Sequence, residues 1–135
     1  MIPKKFSDDN LACQKILIAD DSRVQVHALS TCLADRGFEI IVAMDALQAW
    51  TTALRSAPDA IVLDINMPAG SGAEVLKRLK HSAKTQHIPV VVISGNDEPD
   101  LKKEVTSLGA SAFLPKPVDT NQLCDILFRL LGRQT

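Results

Sequence analysis

Short apolar runs recur along the chain, each bounded by polar or turn-forming residues: Ile16-Leu17-Ile18-Ala19, Phe38-Glu39-Ile40-Ile41-Val42-Ala43, Ala60-Ile61-Val62-Leu63, Ile88-Pro89-Val90-Val91-Val92-Ile93 and Ala112-Phe113-Leu114. Segments of this length and bounding predict five β-strands. They run almost continuously apolar instead of alternating with polar residues, the pattern of strands covered on both faces in a parallel sheet. Between them the period changes to three and four. Val26, Leu29 and Leu33 precede Gly37, and Leu47, Trp50 and Leu54 precede Pro58. Val75, Leu76 and Leu79 follow Gly70-Ser71-Gly72, Leu101, Val105 and Leu108 run into Gly109, and Leu123, Ile126, Leu127, Leu130 and Leu131 precede Gly132. Each set marks one stripe of an amphipathic helix with a stop signal after it.

Strands alternating with helices, joined by right-handed crossovers, predict an α/β fold: a doubly wound, five-stranded parallel sheet, (βα)5, flavodoxin-like, in the order 2-1-3-4-5. A length of 135 residues fits one domain, and 46% hydrophobic residues suffice for its core. Residues 1–14 are polar and mixed and read as an N-terminal extension, residues 15–132 as the domain, and 133–135 as a C-terminal tail. A net charge of −1 offers no basic footprint for nucleic acid, so direct nucleic-acid binding is not expected. An export signal and a membrane span are likewise absent from the pattern, and a cytoplasmic location follows as the expectation. The cysteines, Cys13, Cys32 and Cys124, are three in number and form no C-x-x-C pair, so they read as reduced thiols, with Cys32 and Cys124 buried in helical patterns as small hydrophobes. His27, His81 and His87 are scattered and read as surface or helix residues.

In an open α/β sheet of this order, ligands bind at the carboxyl ends of the strands near the switch between strands one and three. Strand one ends in Asp20-Asp21, strand three in Asp64, strand four in Ser94-Gly95 and strand five in Pro115-Lys116-Pro117. Taken singly these residues have bland roles: Asp21-Ser22 as a helix N-cap and its neighbour, Asp64 or Ser94 as turn residues, Lys116 as solvated surface. Together they have a different one. Three carboxylates converging on one crevice repel unless a cation joins them, and oxygen donors of this kind suit magnesium. Lys116 offsets negative charge, Ser94 supplies a hydroxyl donor, and the set resembles a phosphoryl-binding site. Asp64, ending the central strand before a glycine-containing loop, is the candidate nucleophile toward phosphorus.

These residues resemble the response regulator receiver domains of two-component signalling, of the stand-alone chemotaxis type. The likeness covers roughly residues 14–132 and rests on Ile16 to Ser22, on Ile61 to Pro68 with Gly72, on Pro89 to Gly95, and on Gly109 to Pro117. The resemblance implies that Asp64 is the phosphoacceptor and that Mg²⁺ is held by Asp20, Asp21, Asp64 and the backbone carbonyl of Asn66, Asp20 acting largely through water. It implies that Ser94 and Lys116 hold the phosphoryl oxygens, that Phe113 is the switch aromatic, and that Lys116-Pro117 is cis. The implied function is a phosphorylation-dependent signalling switch in a phosphorelay, not an enzyme beyond its own phosphorylation and autodephosphorylation. Its expected partners are a histidine kinase or histidine phosphotransfer protein as donor and a downstream effector. The effector would meet the surface of helix four, strand five and helix five, the chain acting as a monomer or a phosphorylation-dependent homodimer. Added phosphoryl charge would draw Ser94 and Lys116 inward and give Phe113 room to turn.

The sequence departs from the family's commoner residues at Ser94, usually Thr, and Gly95, usually Ala; Asn66 and Asn96 stand at positions similar to those that, in the family, tune attack by water on the aspartyl phosphate. Two other classes stay open: a receiver-like docking module that works without phosphate, and a haloacid dehalogenase-like phosphatase. The phosphatase would want a second carboxylate two residues after its nucleophile, where this chain has Asn66. A flavin-binding protein of the same fold is disfavoured because Asp20-Asp21 would repel the cofactor's phosphate. The chain stops soon after the last helix, which leads to the expectation that it acts through partners instead of through an attached output domain.

Overall fold

A computed structural model describes residues 13–67, 71–95 and 99–132. The expected extension and tail therefore fall largely outside the described residues, as do Pro68, Ala69, Gly70 and Asn96. Five strands alternate with five helices: β1 Lys15–Ala19, α1 Arg23–Asp35, β2 Glu39–Ala43, α2 Ala46–Ser56, β3 Ala60–Asp64, α3 Gly72–His81, β4 Val90–Ser94, α4 Pro99–Ser107, β5 Ala112–Pro115 and α5 Thr120–Leu130. The strands form one parallel sheet in the order β2-β1-β3-β4-β5. This is the flavodoxin-like fold anticipated from the alternation of periods.

Local chemistry sets the element boundaries. Ser22, Asp45, Ser71 and Asp119 cap the N-termini of α1, α2, α3 and α5, each side chain accepting a backbone N–H of the first turn. After α1 and α4 the chain reverses through Gly37 and Gly109 at φ +92° and +108°, a region that side chains with a Cβ avoid.

Two cores flank the sheet. On one face Ile16, Ile18, Val62, Val91 and Ile93 meet Leu29 and Leu33 of α1 and Leu123 and Leu127 of α5, where Phe38 and Phe128 stack at 5.7 Å between ring centroids. On the other, Leu17, Ile61, Leu63, Val90 and Val92 meet α2, α3 and α4. β1, β3 and β4 are buried on both faces apart from Lys15 at the start of β1. The edge strand β2 is not: Glu39 and Val42 are exposed, so the expectation of full coverage holds for the interior of the sheet and fails at its margin, where one neighbour is missing.

The expected stripe of α2 is also corrected. Ala46, Ala49 and Ala53 form its buried line, while Leu47 is 62% exposed and Trp50 and Leu54 are only half-buried. Alanines at this spacing let the helix axis approach the sheet, and the larger residues are turned to its flank. There the Trp50 ring lies 5.8 Å from the Arg78 guanidinium of α3.

Candidate functional site

At the carboxyl edge of the sheet, each strand delivers its last residues to a common crevice. β1 runs straight into Asp20, whose N–H donates to Ala43 O at 3.0 Å and whose side chain is fully buried. Its Oδ1 accepts the Ser22 N–H at 2.9 Å, and Ser22 in turn caps α1 by accepting the Gln25 N–H at 3.2 Å. Capping therefore falls to Ser22, which leaves Asp21 exposed at the crevice mouth. Asp64 ends the central strand and is 1% exposed. Its Oδ1 accepts the Asn66 N–H at 3.0 Å and its Oδ2 accepts Lys116 Nζ at 3.1 Å.

Lys116 reaches this point from the far side of β4. Its N–H donates to Ser94 O at 2.8 Å, and its Nζ lies 3.3 Å from Asp20 Oδ2 as well as 3.1 Å from Asp64 Oδ2. The Lys116-Pro117 bond is cis, as the resemblance implied. Ser94 is fully buried at the end of β4. Phe113, on β5, is half-buried and packs with the core on the α2–α4 face. Asn66 is exposed, and it is its N–H, donated to Asp64, that the structure engages. His27, His81 and His87 are exposed on the surface.

One carboxylate oxygen from each of Asp20, Asp21 and Asp64 lies within 4.8 Å of the others. Burial, followed by the neighbouring Asp64 charge, pushes the Asp20 carboxyl above its ordinary value despite the Ser22 N–H and Lys116. Burial pulls the Lys116 ammonium down, but the Asp64 hydrogen bond and the charges of Asp64 and Asp20 outweigh it, so its pKa is raised. Asp20 Oδ2 is buried and accepts no hydrogen bond of acceptable geometry, although it lies within ion-pair distance of Lys116. One ammonium facing three carboxylates leaves an excess of negative charge, and an orphaned carboxylate oxygen at its centre fits a hard divalent cation.

One residue of this site is invisible to a reading of charges. A Cβ on Gly72 would come within 2.6 Å of Ile65 Cα, 2.7 Å of Ile65 O and 2.8 Å of Asp64 O. The start of α3 thus lies directly on the backbone that carries Asp64, and Gly72 N–H donates to Ile65 O at 3.2 Å. The sequence signal was available in Gly70-Ser71-Gly72, where a glycine stands at the first helical position immediately after a capping serine.

The family model of the response regulator receiver domain matches residues 16–128. The chain belongs to this family. Receivers are the switch domains of two-component response regulators, with phosphorylation as their general control and Mg²⁺ as their general cofactor. They work between histidine kinases and effectors and are signalling domains, not conventional enzymes. This receiver is 39% identical over 105 residues to response regulator PleD of Caulobacter vibrioides, covering 78% of this chain and 23% of PleD. It is 33% identical over 127 residues to the transcriptional regulatory protein PrrA of Mycobacterium tuberculosis, covering 94% of this chain and 54% of PrrA. The receiver thus spans only part of the length of these curated relatives. Among solved structures it is similar to chemotaxis response regulator CheY4 of Vibrio cholerae, with a TM-score of 0.81, 30% identity and coverage of 87% of this chain and 98% of that one. It is also similar to a chain of the CheX-CheY-BeF3-Mg²⁺ complex of Borrelia burgdorferi, with a TM-score of 0.80, 28% identity and coverage of 87% and 88%. No helix among the described residues is long and apolar enough to cross a membrane.

Proposed function

We propose that this receiver accepts a phosphoryl group on Asp64 from a phosphohistidine of a histidine kinase or histidine phosphotransfer protein. The resulting signal passes to an effector through the surface of α4, β5 and α5. The observation that carries this reading is Lys116 Nζ held 3.1 Å from Asp64 Oδ2 and 3.3 Å from Asp20 Oδ2, beside a third carboxylate, Asp21. A carboxylate approached by a cation in this way can receive an anionic group that it would otherwise repel.

In the transfer, an Asp64 carboxylate oxygen forms a bond to phosphorus while the phosphorus–nitrogen bond of the donor breaks. The imidazole nitrogen keeps the bonding pair and takes up a proton. Asp20, Asp21, Asp64 and the Asn66 carbonyl would hold Mg²⁺, which when bound supplies positive charge against the phosphoryl oxygens. The Asn66 N–H keeps the Asp64 carboxylate oriented. Lys116 and the Ser94 hydroxyl meet the incoming oxygens, drawing β4 and β5 together at their ends, where the Lys116 N–H already binds Ser94 O. Phe113, half-buried on β5, turns inward as Ser94 moves, so that the signal leaves as a change in the α4–β5–α5 surface. The similar chain solved in a CheX-CheY-BeF3-Mg²⁺ complex supports a reading in which Mg²⁺ and a partner protein both meet a receiver.

Intact-mass spectrometry after incubation with acetyl phosphate tests this directly. A phosphoryl adduct that requires Mg²⁺ and vanishes in Asp64→Asn is expected. If rapid quenching finds no adduct on the native chain, the domain is a phosphate-independent docking module and the switch reading fails.

A further inference from the structure

On the sheet face covered by α1 and α5, these two helices bring two thiols into contact. Cys32 Sγ of α1 and Cys124 Sγ of α5 lie 3.7 Å apart, although 92 positions separate them in the chain. Both are free; Cys32 is half-buried and Cys124 is buried. Arg36, one turn after Cys32, donates from Nη1 to the Cys32 sulfur at 2.8 Å, while its Nη2 donates to Asn121 Oδ1 at 3.2 Å. The guanidinium is thereby anchored to both helices with one nitrogen on the more accessible of the two sulfurs. The sequence reading, in which Cys32 and Cys124 serve only as small hydrophobes, does not account for this arrangement.

We propose that Cys32 and Cys124 form a reversible, peroxide-sensitive dithiol whose oxidation ties α1 to α5 through an intramolecular disulfide. Cys32 reacts first, because it is the less buried of the two residues and Arg36 Nη1 donates to its sulfur. Burial, together with the adjacent Cys32 sulfur, pushes the Cys124 thiol up to about 11, so it is the poorer nucleophile toward peroxide, and its part in the second step rests on its Sγ already lying 3.7 Å from the Cys32 sulfur. The Cys32 sulfur attacks one oxygen of hydrogen peroxide, becoming a sulfenic acid as the other oxygen leaves as water. Cys124 then attacks the Cys32 sulfur and expels a second water, so two thiols and one peroxide yield one disulfide and two waters. The sulfurs must close from 3.7 Å to the bonded distance of about 2.0 Å. Because α5 is part of the proposed output surface, the bond adds a covalent restraint to that surface.

The experiment uses the Cys13→Ser chain, which removes the exposed third thiol. After exposure to one equivalent of hydrogen peroxide and denaturation in N-ethylmaleimide, the expected product has lost the mass of two hydrogens and carries no maleimide. Peptide mapping should join the Cys32 and Cys124 peptides, and dithiothreitol should restore two alkylatable thiols. In Cys13→Ser with Cys124→Ser, dimedone should trap a sulfenic acid on Cys32. Arg36→Met should slow disulfide formation by about tenfold, since a hydrogen bond from a charged donor to the reacting sulfur is lost. Circular dichroism and gel filtration check that each variant stays folded with the oligomeric state of the native chain. Full alkylation of both thiols after peroxide treatment, or a disulfide found only between chains, would overturn the proposal.

Discussion

The two ends of this sheet each bring aspartate and lysine together, and they do so in opposite ways. At the amino edge, Lys15 N–H donates to Asp59 Oδ2 at 2.7 Å and Lys15 Nζ donates to Ser56 O at 3.1 Å. Asp59 is exposed, its charge is solvated, and the contacts tie the end of α2 to the start of β1. At the carboxyl edge, Asp20 and Asp64 are buried side by side, Lys116 is stretched between them, and Asp20 Oδ2 is left without a hydrogen bond. The first arrangement is complete as it stands. The second keeps unneutralised charge in a buried place, which costs stability and is what the proposed binding of a cation and an anionic group requires.

Removing Asp20 and supplying the cation should separate the two ends most widely. In chelator, Asp20→Asn is expected to raise stability by about 1 kcal/mol, because a neutral amide replaces a buried carboxylate beside like charge. Mg²⁺ at a hundredfold excess over its dissociation constant should stabilise the native chain by about 2.7 kcal/mol and the variant far less. Thermal melts in chelator and in Mg²⁺ measure both; a loss of stability for Asp20→Asn in chelator would place its carboxylate with Asp59 as a structural group. Gly72→Ala should cost about 2 kcal/mol in urea unfolding, the backbone overlap at Asp64 and Ile65 outweighing the better helix propensity of alanine. It should also weaken the Mg²⁺-dependent stabilisation, since the displaced backbone carries Asp64. Asp59→Ala should have the smallest effect, about 0.5 kcal/mol by the same unfolding assay with no change in the response to Mg²⁺, as expected for one exposed hydrogen bond.

Much of the fold was legible because its signals are local. Ile16 to Ala19, Ala60 to Leu63 and Val90 to Ile93 are apolar without alternation, and they became the three central strands. The carboxyl-edge residues were legible for a related reason: parallel strands all end on one side, so Asp20, Asp64, Ser94 and Lys116 had to lie near one another once the topology was right. The phase of α2 was harder to read. Its leucines and tryptophan suggested a stripe that the alanines occupy, because hydrophobicity ranks side chains by size whereas close packing against a sheet selects for fit. Gly72 and the Cys32–Cys124 contact were harder still, since neither leaves a periodic trace.

The sequence by itself determined the alternation of strands and helices and the set of polar groups at the strand ends, which follow from patterns a few residues long. Only the tertiary structure decided that Asp20 is buried while Asp21 is exposed, and that one lysine, 52 positions from Asp64, serves two carboxylates. It likewise decided that two helices bring their sulfurs to 3.7 Å. Burial, orphaned oxygens and sulfur contacts depend on distances between residues far apart in the chain, and those distances are set by how whole elements pack.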